Sequence, residues 1–408
     1  TCHGYQVIVS NLTESGQLGV FFESGGQLSE SFATENNLVR RKDADGNNVG
    51  GYFEENRRVR AVKMRGAKSE GFWCPLHMLQ YTGVNLNDLK EGDQFDTLNG
   101  IPICNKYFTP KTLQAMSNRA TKQKRDNPMF AKHIDTDPFK KNINSIPDGA
   151  VVYVSEKLHG TSFRYGRVLE TKEIKYTGIK KLLAKIFKWP TEETSWAYLN
   201  GSRNVVLEQR LDPNSGYYGT EGFRFSATRD IVLDKGEVIY GELVGFTENG
   251  RSIMDTHSTS ALKDKAFQKT YGEVMTYTYG VNTTNECHLY VYRITKVNED
   301  GKVTELSWPQ VVLRCTELGL KTVPFIEKFI YDGDQEKLSE RISALTDSPD
   351  GELPYPSRLD QRHISEGVVV RYESEFGTGW LKSKSYVFGL LEGYLKESDD
   401  FVDPEEIS

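Results

Sequence analysis

The run VVYVSEKLHGTSFRYG, residues 151–166, decides how the rest of the chain is read. Its first half is rich in β-branched residues and forms a strand at 151–156. Lys157 stands at the end of that strand and is followed by His159, Gly160 and Thr161. A lysine at a strand end, with a glycine allowing close backbone approach, can present its amine to a ligand phosphate. On this segment alone, an exposed strand-end lysine is the better reading. The neighbours of Lys157 along the sequence decide between the two.

Four further segments follow in order. GSRNVVL, 201–207, carries Arg203, whose rigid fork of donors suits a ribose or a phosphate. VIYGELVG, 238–245, carries Glu242 within an apolar run. A carboxylate so placed needs a cation, a metal or a sugar hydroxyl as partner. LYVYRIT, 289–295, reads as a strand whose alternation puts Tyr290 and Tyr292 on one face, either one able to stack on a purine. The last segment is the pair EGVVVR, 366–371, and LKSKSY, 381–386. Lys382 and Lys384 share one strand face and repel unless an anion such as a triphosphate lies between them.

Lysine-x-His/Asp-Gly, aromatic-Gly-Glu, a strand aromatic, Glu-Gly-φ-φ-φ-Arg and Lys-x-Lys, in this order over 156–386, resemble the signatures of the covalent nucleotidyltransferases, the superfamily of polynucleotide ligases and mRNA capping enzymes. His159, where DNA ligases and capping enzymes generally carry Asp, is similar to the RNA ligase branch that seals nicks in duplexes. The N-terminal region and the segment KHIDTDPF, 132–139, resemble ligases with an N-terminal OB-type domain, the Deinococcus–Naegleria type also met in phages. Three positions depart from the pattern: Ser162 where Asn is frequent, Arg293 where Asp often follows the stacking aromatic, and His159 itself, since the OB-fused branch can carry Asp.

The resemblance implies an ATP-dependent RNA ligase. Lys157 forms a covalent lysyl–AMP, AMP passes to a 5′-phosphate end, and a 3′-hydroxyl then displaces it. It implies that Lys157, His159, Glu366, Lys382 and Lys384 are catalytic. Glu156, Leu158, Arg203, Glu242, Tyr292 (with Tyr290 as fallback), Lys382 and Lys384 would hold the nucleotide. Glu366 and Glu242 would hold Mg²⁺ or Mn²⁺. A free lysine, with pKa about 10.4, is protonated near neutrality. Mg²⁺ with Lys382 and Lys384 would favour the neutral amine. The implied substrate is a nicked RNA duplex or RNA–DNA hybrid. A DNA ligase or capping activity, or a catalytically silent RNA-binding protein, are the competing expectations.

Outward from this core, the expected fold class is α+β. Residues 1–115 read as a small OB-like β-barrel, with strands at 5–12, 18–22 and 58–65 and a turn at Asp45-Gly46. Residues 116–130 read as a basic linker, 131–395 as the nucleotidyltransferase domain of antiparallel sheets and helices, and 396–408 as an acidic tail. Ile179, Leu182, Leu183, Ile186 and Phe187 have helical spacing, with Lys180, Lys181, Lys185 and Lys188 on the remaining face. Further helices fit 310–318 and 335–345.

With 408 residues, 37% hydrophobic and 26% charged, the composition is that of a globular protein of two or three domains. The net charge of −6 argues against a general coating of nucleic acid and leaves room for a local basic groove. Five scattered cysteines with no C-x-x-C pair argue against a zinc site or disulfide framework and fit a reducing cytoplasm. No apolar run approaches a membrane span, and residues 1–12 lack the features of a signal peptide. No membrane partner is expected, and a monomer is.

Overall fold

The computed structural model describes residues 4–64, 66–120, 126–207, 218, 220–348 and 354–395. Arg65, the linker cations Lys122, Lys124 and Arg125, and the acidic tail therefore lie outside the described residues. Contacts divide the chain into two units. One comprises Thr1–Leu113, Ser260–Lys263 and Ser385–Val402; the other comprises Gln114–Thr259, Asp264–Lys384 and Asp403–Ser408.

The second unit is built on two sheets. The larger runs in the order Val206–Leu207, Glu192–Gly201, Thr161–Glu173, Glu237–Gly245, Cys287–Val297 and Val303–Glu305, with Lys321–Thr322 added beside Cys287–Val297. The smaller runs Asp137–Pro138, Gly377–Lys384, Gly367–Ser374, Val151–Glu156 and Phe325–Ile330. Pairing is antiparallel except for the two short strands Asp137–Pro138 and Lys321–Thr322. Strand Val151–Glu156 shows how the sequence sets the layers. Val152 and Val154 join Val368, Val370, Leu381, Leu338 and Ile342 in a core against helix Gln335–Thr346. By the period of two, Tyr153 and Ser155 face the other way, into a cavity.

The helix expected from Ile179 forms as Ile179–Ile186. Its apolar stripe, however, is turned to solvent: Ile179 is 78% exposed and Leu182 and Ile186 are each 63% exposed. The helices expected at 310–318 and 335–345 appear as Trp308–Leu318, opened by a capping box on Ser307 and Gln310, and as Gln335–Thr346.

Among the described residues of the first unit the expected barrel is not seen. The described strands form five separate two-stranded ladders: Gly19–Glu23 with Gly71–Pro75, Gly26–Leu28 with Cys104–Lys106, Arg40–Lys42 with Asn48–Gly50, Val62–Met64 with Ala67–Ser69, and Thr97–Leu98 with Ile101–Pro102. They pack on a common core that includes Phe22, Leu28, Phe32, Phe53, Leu79 and Ile103. Residues 5–12 form no strand. A side chain takes the place of a ladder partner there, since the Gln6 N–H donates to Glu70 Oε2 at 2.8 Å and the Ile8 N–H to Ser69 Oγ at 3.1 Å. The expected basic strand at 58–65 shrinks to Val62–Met64, and Arg58 is buried over the Tyr107 ring.

Two boundaries also move. The start of the expected linker is helical, because Pro110 opens a helix, Pro110–Ala120, whose Thr112 N–H in the first turn donates to Thr109 Oγ1. Residues 385–395, read from sequence as the end of the catalytic domain, group with the first unit. The Tyr386 hydroxyl donates to the Val62 carbonyl at 2.9 Å, and Arg58 Nη1 donates to that of Gly393 at 3.0 Å. Among the described residues no helix is long and apolar enough to cross a membrane.

Candidate functional site

A cavity of about 1100 Å³, counting the solvent at its open mouth, lies between the two sheets of the second unit. Glu156, Lys157, Leu158, Ser162, Arg203, Glu242, Tyr292, Lys382 and Lys384 all line it. The sequence segments that seemed separate thus meet around one space. Of the expected residues, His159 and Glu366 are not in its lining but are tied to it through Lys157 and Lys384.

The backbone fixes the nucleophile segment from two sides. The Lys157 N–H donates to the Gly367 carbonyl at 2.9 Å, and the Glu156 N–H donates to that of Pro324 at 2.9 Å. Two glycines bring the segments this close. A Cβ on Gly160 would stand 2.4 Å from the Leu243 carbonyl oxygen and 2.8 Å from Cγ of Glu242. Gly367 has φ +141° and faces the Ser383 carbonyl oxygen, which a Cβ would meet at 2.1 Å. Gly160→Ala is expected to cost about 1–3 kcal/mol of stability by overpacking and to weaken nucleotide binding by displacing Glu242. Thermal unfolding and ATP titration check this, and a variant indistinguishable from wild type in both would refute it.

At the heart of the site one carboxylate serves two ammonium groups. Glu366 Oε1 is 2.9 Å from Lys157 Nζ and 3.1 Å from Lys384 Nζ, while Oε2 is 3.7 Å from Nδ1 of His159. The Glu366 side chain is only 2% exposed. In this arrangement Lys384 reaches Lys157 through Glu366. The sequence had suggested lysines crowding the nucleophile directly.

Glu242 is buried on the central strand of the larger sheet, opposite Ser162 on one side and Tyr290 on the other. A register shift separates the two tyrosines locally. Tyr240 pairs with Arg293 and Gly241 with Val291, so Tyr292 is an extra, bulged residue. Tyr292 and Arg293 both line the cavity, whereas Tyr290 is not in the lining and lies under Lys321. Burial, and then the Glu242 charge, push the Tyr292 phenol well above its ordinary range.

His159 sits in an aromatic box. Tyr277 meets it edge-on at 4.9 Å and His257 stacks on it at 5.9 Å, with the Tyr277 hydroxyl 2.9 Å from Nδ1 of His257. Behind them His363, fully buried, accepts from the Tyr279 N–H at Nε2 and shares a hydrogen bond with the Ile364 carbonyl at Nδ1. These two backbone groups select the neutral tautomer, since a proton on Nε2 would face another N–H. Burial is the main cause that lowers the His363 pKa, against the pull of the Ile364 carbonyl and Asp360. The unfolded chain takes up a proton near pH 6.5 that the fold does not. The resulting stability is present above that pH and is lost as pH falls below it, by up to ~1.4 kcal/mol per unit. Chemical denaturation at pH 7.5 and 5.5 should show this loss, and His363→Gln should reduce it. An unchanged slope in the variant would disprove the assignment.

The sequence reading missed several lining residues: His133, Ile134, Thr136, Trp308, Arg371 and Trp380. His133 shares a hydrogen bond with the Tyr292 hydroxyl, and Asp135 forms an ion pair with Arg203. Arg293 and Arg371 both lie over the Trp380 ring, at 5.3 and 5.4 Å, and are held by Glu305 and Glu373. The one available signal was the density of His and Asp in 132–139, which lacks a strand or helix period.

Among the described residues no cluster of three or more His, Cys, Asp or Glu could hold a metal by itself. Buried Glu366 and Glu242 nevertheless fit the donor set of Mg²⁺ or Mn²⁺, since such ions commonly take one or two carboxylates and complete their shell with water and phosphate oxygens.

A sequence profile described as RNA ligase matches residues 150–384. The fold is similar to solved structures of Naegleria gruberi RNA ligase. The form with pyrophosphate is 15% identical, with a TM-score of 0.52 over 98% of this chain and 92% of that one. A lysine-to-methionine mutant with AMP and manganese is 14% identical, with a TM-score of 0.53 and the same coverage. A glutamate-to-alanine mutant with ATP and manganese is 16% identical, with a TM-score of 0.52, again over 98% and 92%. No curated protein sequence matches the chain.

Proposed function

This chain belongs to the RNA ligase family, and from that premise we propose that it joins RNA ends with ATP through a covalent AMP adduct on Lys157. The observation that carries the reading is the position of the Lys157 amine. It stands at the wall of the open cavity between the two sheets, held with Lys384 on one buried carboxylate. Naegleria gruberi RNA ligase, which shares the fold, has been solved with ATP, AMP and manganese.

ATP lies between the sheets, its base against Tyr292 and its ribose near Arg203 and Glu242, with the backbones of Glu156 and Leu158 along one edge. Lys382 and Lys384 turn to the phosphate oxygens, which loosens Lys384 from Glu366. Lys157 must shed a proton before it can attack, and Glu366, 2.9 Å away, is within reach to take it. The amine then attacks the α-phosphorus: an N–P bond forms, the bond to the bridging oxygen breaks, and pyrophosphate leaves. His159 orients the AMP phosphate. Glu366 and Glu242 would hold a divalent cation, which would supply charge neutralisation at the phosphates. An RNA 5′-phosphate oxygen next takes the AMP from Lys157, and a 3′-hydroxyl attacks that 5′-phosphorus and expels AMP.

The preferred substrate in this reading is a nick in an RNA duplex or RNA–DNA hybrid, sealed by a monomer in a reducing cytoplasm, the host's if the gene is a phage's. The first unit acts as a nucleic-acid-binding unit, a role supported by the strand Arg40–Lys42, whose three residues are all exposed. The test is incubation with α-labelled ATP and Mg²⁺, followed by nicked duplexes that vary the sugar on each side of the nick. Covalent labelling and sealing that requires ribose at the 3′-hydroxyl end are expected. Equal sealing of an all-DNA nick would overturn the RNA assignment, and labelling by GTP in preference to ATP would point to capping instead.

A further inference from the structure

Residues 130–138 run along one wall of the cavity and are anchored at both ends. At the first end Arg164, fully buried, donates from Nη1 to the carbonyls of Phe130 and Ala131 at 2.7 and 2.8 Å, and lies over the Phe130 ring at 4.4 Å. The Tyr240 hydroxyl donates to the same Ala131 carbonyl at 3.0 Å. At the other end Asp137 and Pro138 pair in parallel with Leu381 and Lys382, on the strand that carries both cavity lysines. Between these anchors the segment has no regular partner strand among the described residues, yet His133, Ile134 and Thr136 face the cavity.

What the middle touches is selective. His133 shares a hydrogen bond with the Tyr292 hydroxyl and meets that ring edge-on, centroids 5.5 Å apart. Its backbone N–H donates to the Arg203 carbonyl at 3.3 Å. Arg203 Nε donates to Asp135 Oδ1 at 3.1 Å, and Nη2 adds a second contact. The Asp135 side chain is 73% exposed, and its partial desolvation works against its charge. The hydrogen bond and field of Arg203, with His133 and Lys382 behind it, nevertheless hold its carboxyl below the usual value.

We infer that residues 130–138 form a positioning strap for the nucleoside, in which His133 fixes the ring of Tyr292 and Asp135 fixes the guanidinium of Arg203. The inference rests on the proposed function, because it gives Tyr292 the base and Arg203 the sugar side of ATP. A phenol free to rotate presents its face to a purine only part of the time, and the His133 tie removes that freedom before the base arrives. An arginine beside a triphosphate site is drawn to the phosphates, and Asp135 holds it back toward the sugar. Neither residue touches the reacting phosphorus, so the strap acts on nucleotide binding and leaves the chemical step alone.

The experiment is a pair of double-mutant cycles on the full chain, read as KM for ATP and as the single-turnover rate of lysyl–AMP formation at saturating ATP. His133→Phe and Tyr292→Phe should each raise KM about fivefold to tenfold, an expectation of ~1 kcal/mol for one hydrogen bond. The pair should be no worse than either alone. Asp135→Asn should raise KM similarly in the wild-type background and have no effect beside Arg203→Ala. For the His133 and Asp135 variants the saturated rates should stay within about twofold, which a general structural defect would not allow. Asp135→Glu, which keeps the charge, should recover part of the loss.

Additive effects in both cycles, or a fall in the saturated rate with KM unchanged, would overturn the strap. Tyr292→Phe alone is a conservative change that preserves the core, so its silence would also count against it. Wild-type protein that forms no adduct at Lys157 would instead refute the ligase reading and the strap with it. An adduct together with additive cycles would refute the strap alone.

Discussion

Lys157→Ala is expected to abolish the covalent AMP adduct, with adenylation falling by a factor on the order of 10⁴ or more, since the proposed N–P bond forms at its amine. The same variant should still seal RNA that already carries a 5′-adenylate, within about tenfold of wild type. In that step the nucleophile is the RNA 3′-hydroxyl and Lys157 forms no bond. Wild-type and variant protein compared on both substrates give the result. An adduct that survives the substitution would place the nucleophile elsewhere. Equal loss on both substrates would mean that Lys157 holds the site together instead of attacking.

Glu366→Gln should separate the two roles from the other direction. The amide keeps the shape of the side chain but takes away the charge that Lys157 and Lys384 share. A loss of ~10²–10³-fold in adenylation is expected, the usual range for removing a proton-accepting or charge-placing group. Unlike Lys157→Ala, it should also slow the sealing of pre-adenylated RNA, because the carboxylate serves the phosphates in every step. Adenylation within threefold of wild type would rule out both assignments. Unfolding curves of the variant distinguish a lost charge from a lost fold.

Much of this site could be read from the sequence because its residues lie on strands. Alternation along Val151–Glu156 places the lysine at a strand end, and ordered motifs over 156–386 converge because both sheets present their segments to one cavity. Distance along a strand says little about bulges, however. The extra residue at Tyr292 breaks the alternation that had put Tyr290 and Tyr292 on one face. His133 and Asp135 escaped for a related reason. They act from a stretch with no period, and only tertiary pairing shows which partners they meet.

The first unit was harder still. Its strands are two to five residues long, too short for a pattern of two to fix register, and side chains such as Glu70 replace ladder partners. Composition also placed the boundary at the basic stretch. Which unit the helix Tyr386–Leu395 joins is decided by single contacts from Arg58 and to Val62 that no local pattern encodes. The exposed stripe on helix Ile179–Ile186 is the reverse case, in which the periodicity was right and the burial it normally announces is absent.

The shared carboxylate also sets the proton inventory of the enzyme. In the proposed reaction the Lys157 nitrogen, 2.9 Å from Glu366 in the empty site, goes from an amine that must be deprotonated to a phosphoramidate. Charging the enzyme with AMP therefore releases protons, and the reverse attack by pyrophosphate takes them up. The balance between the empty and the charged enzyme is in this way a function of pH as well as of the ATP to pyrophosphate ratio. Alkaline conditions favour the loaded form, and acidic conditions return the nucleotide to pyrophosphate.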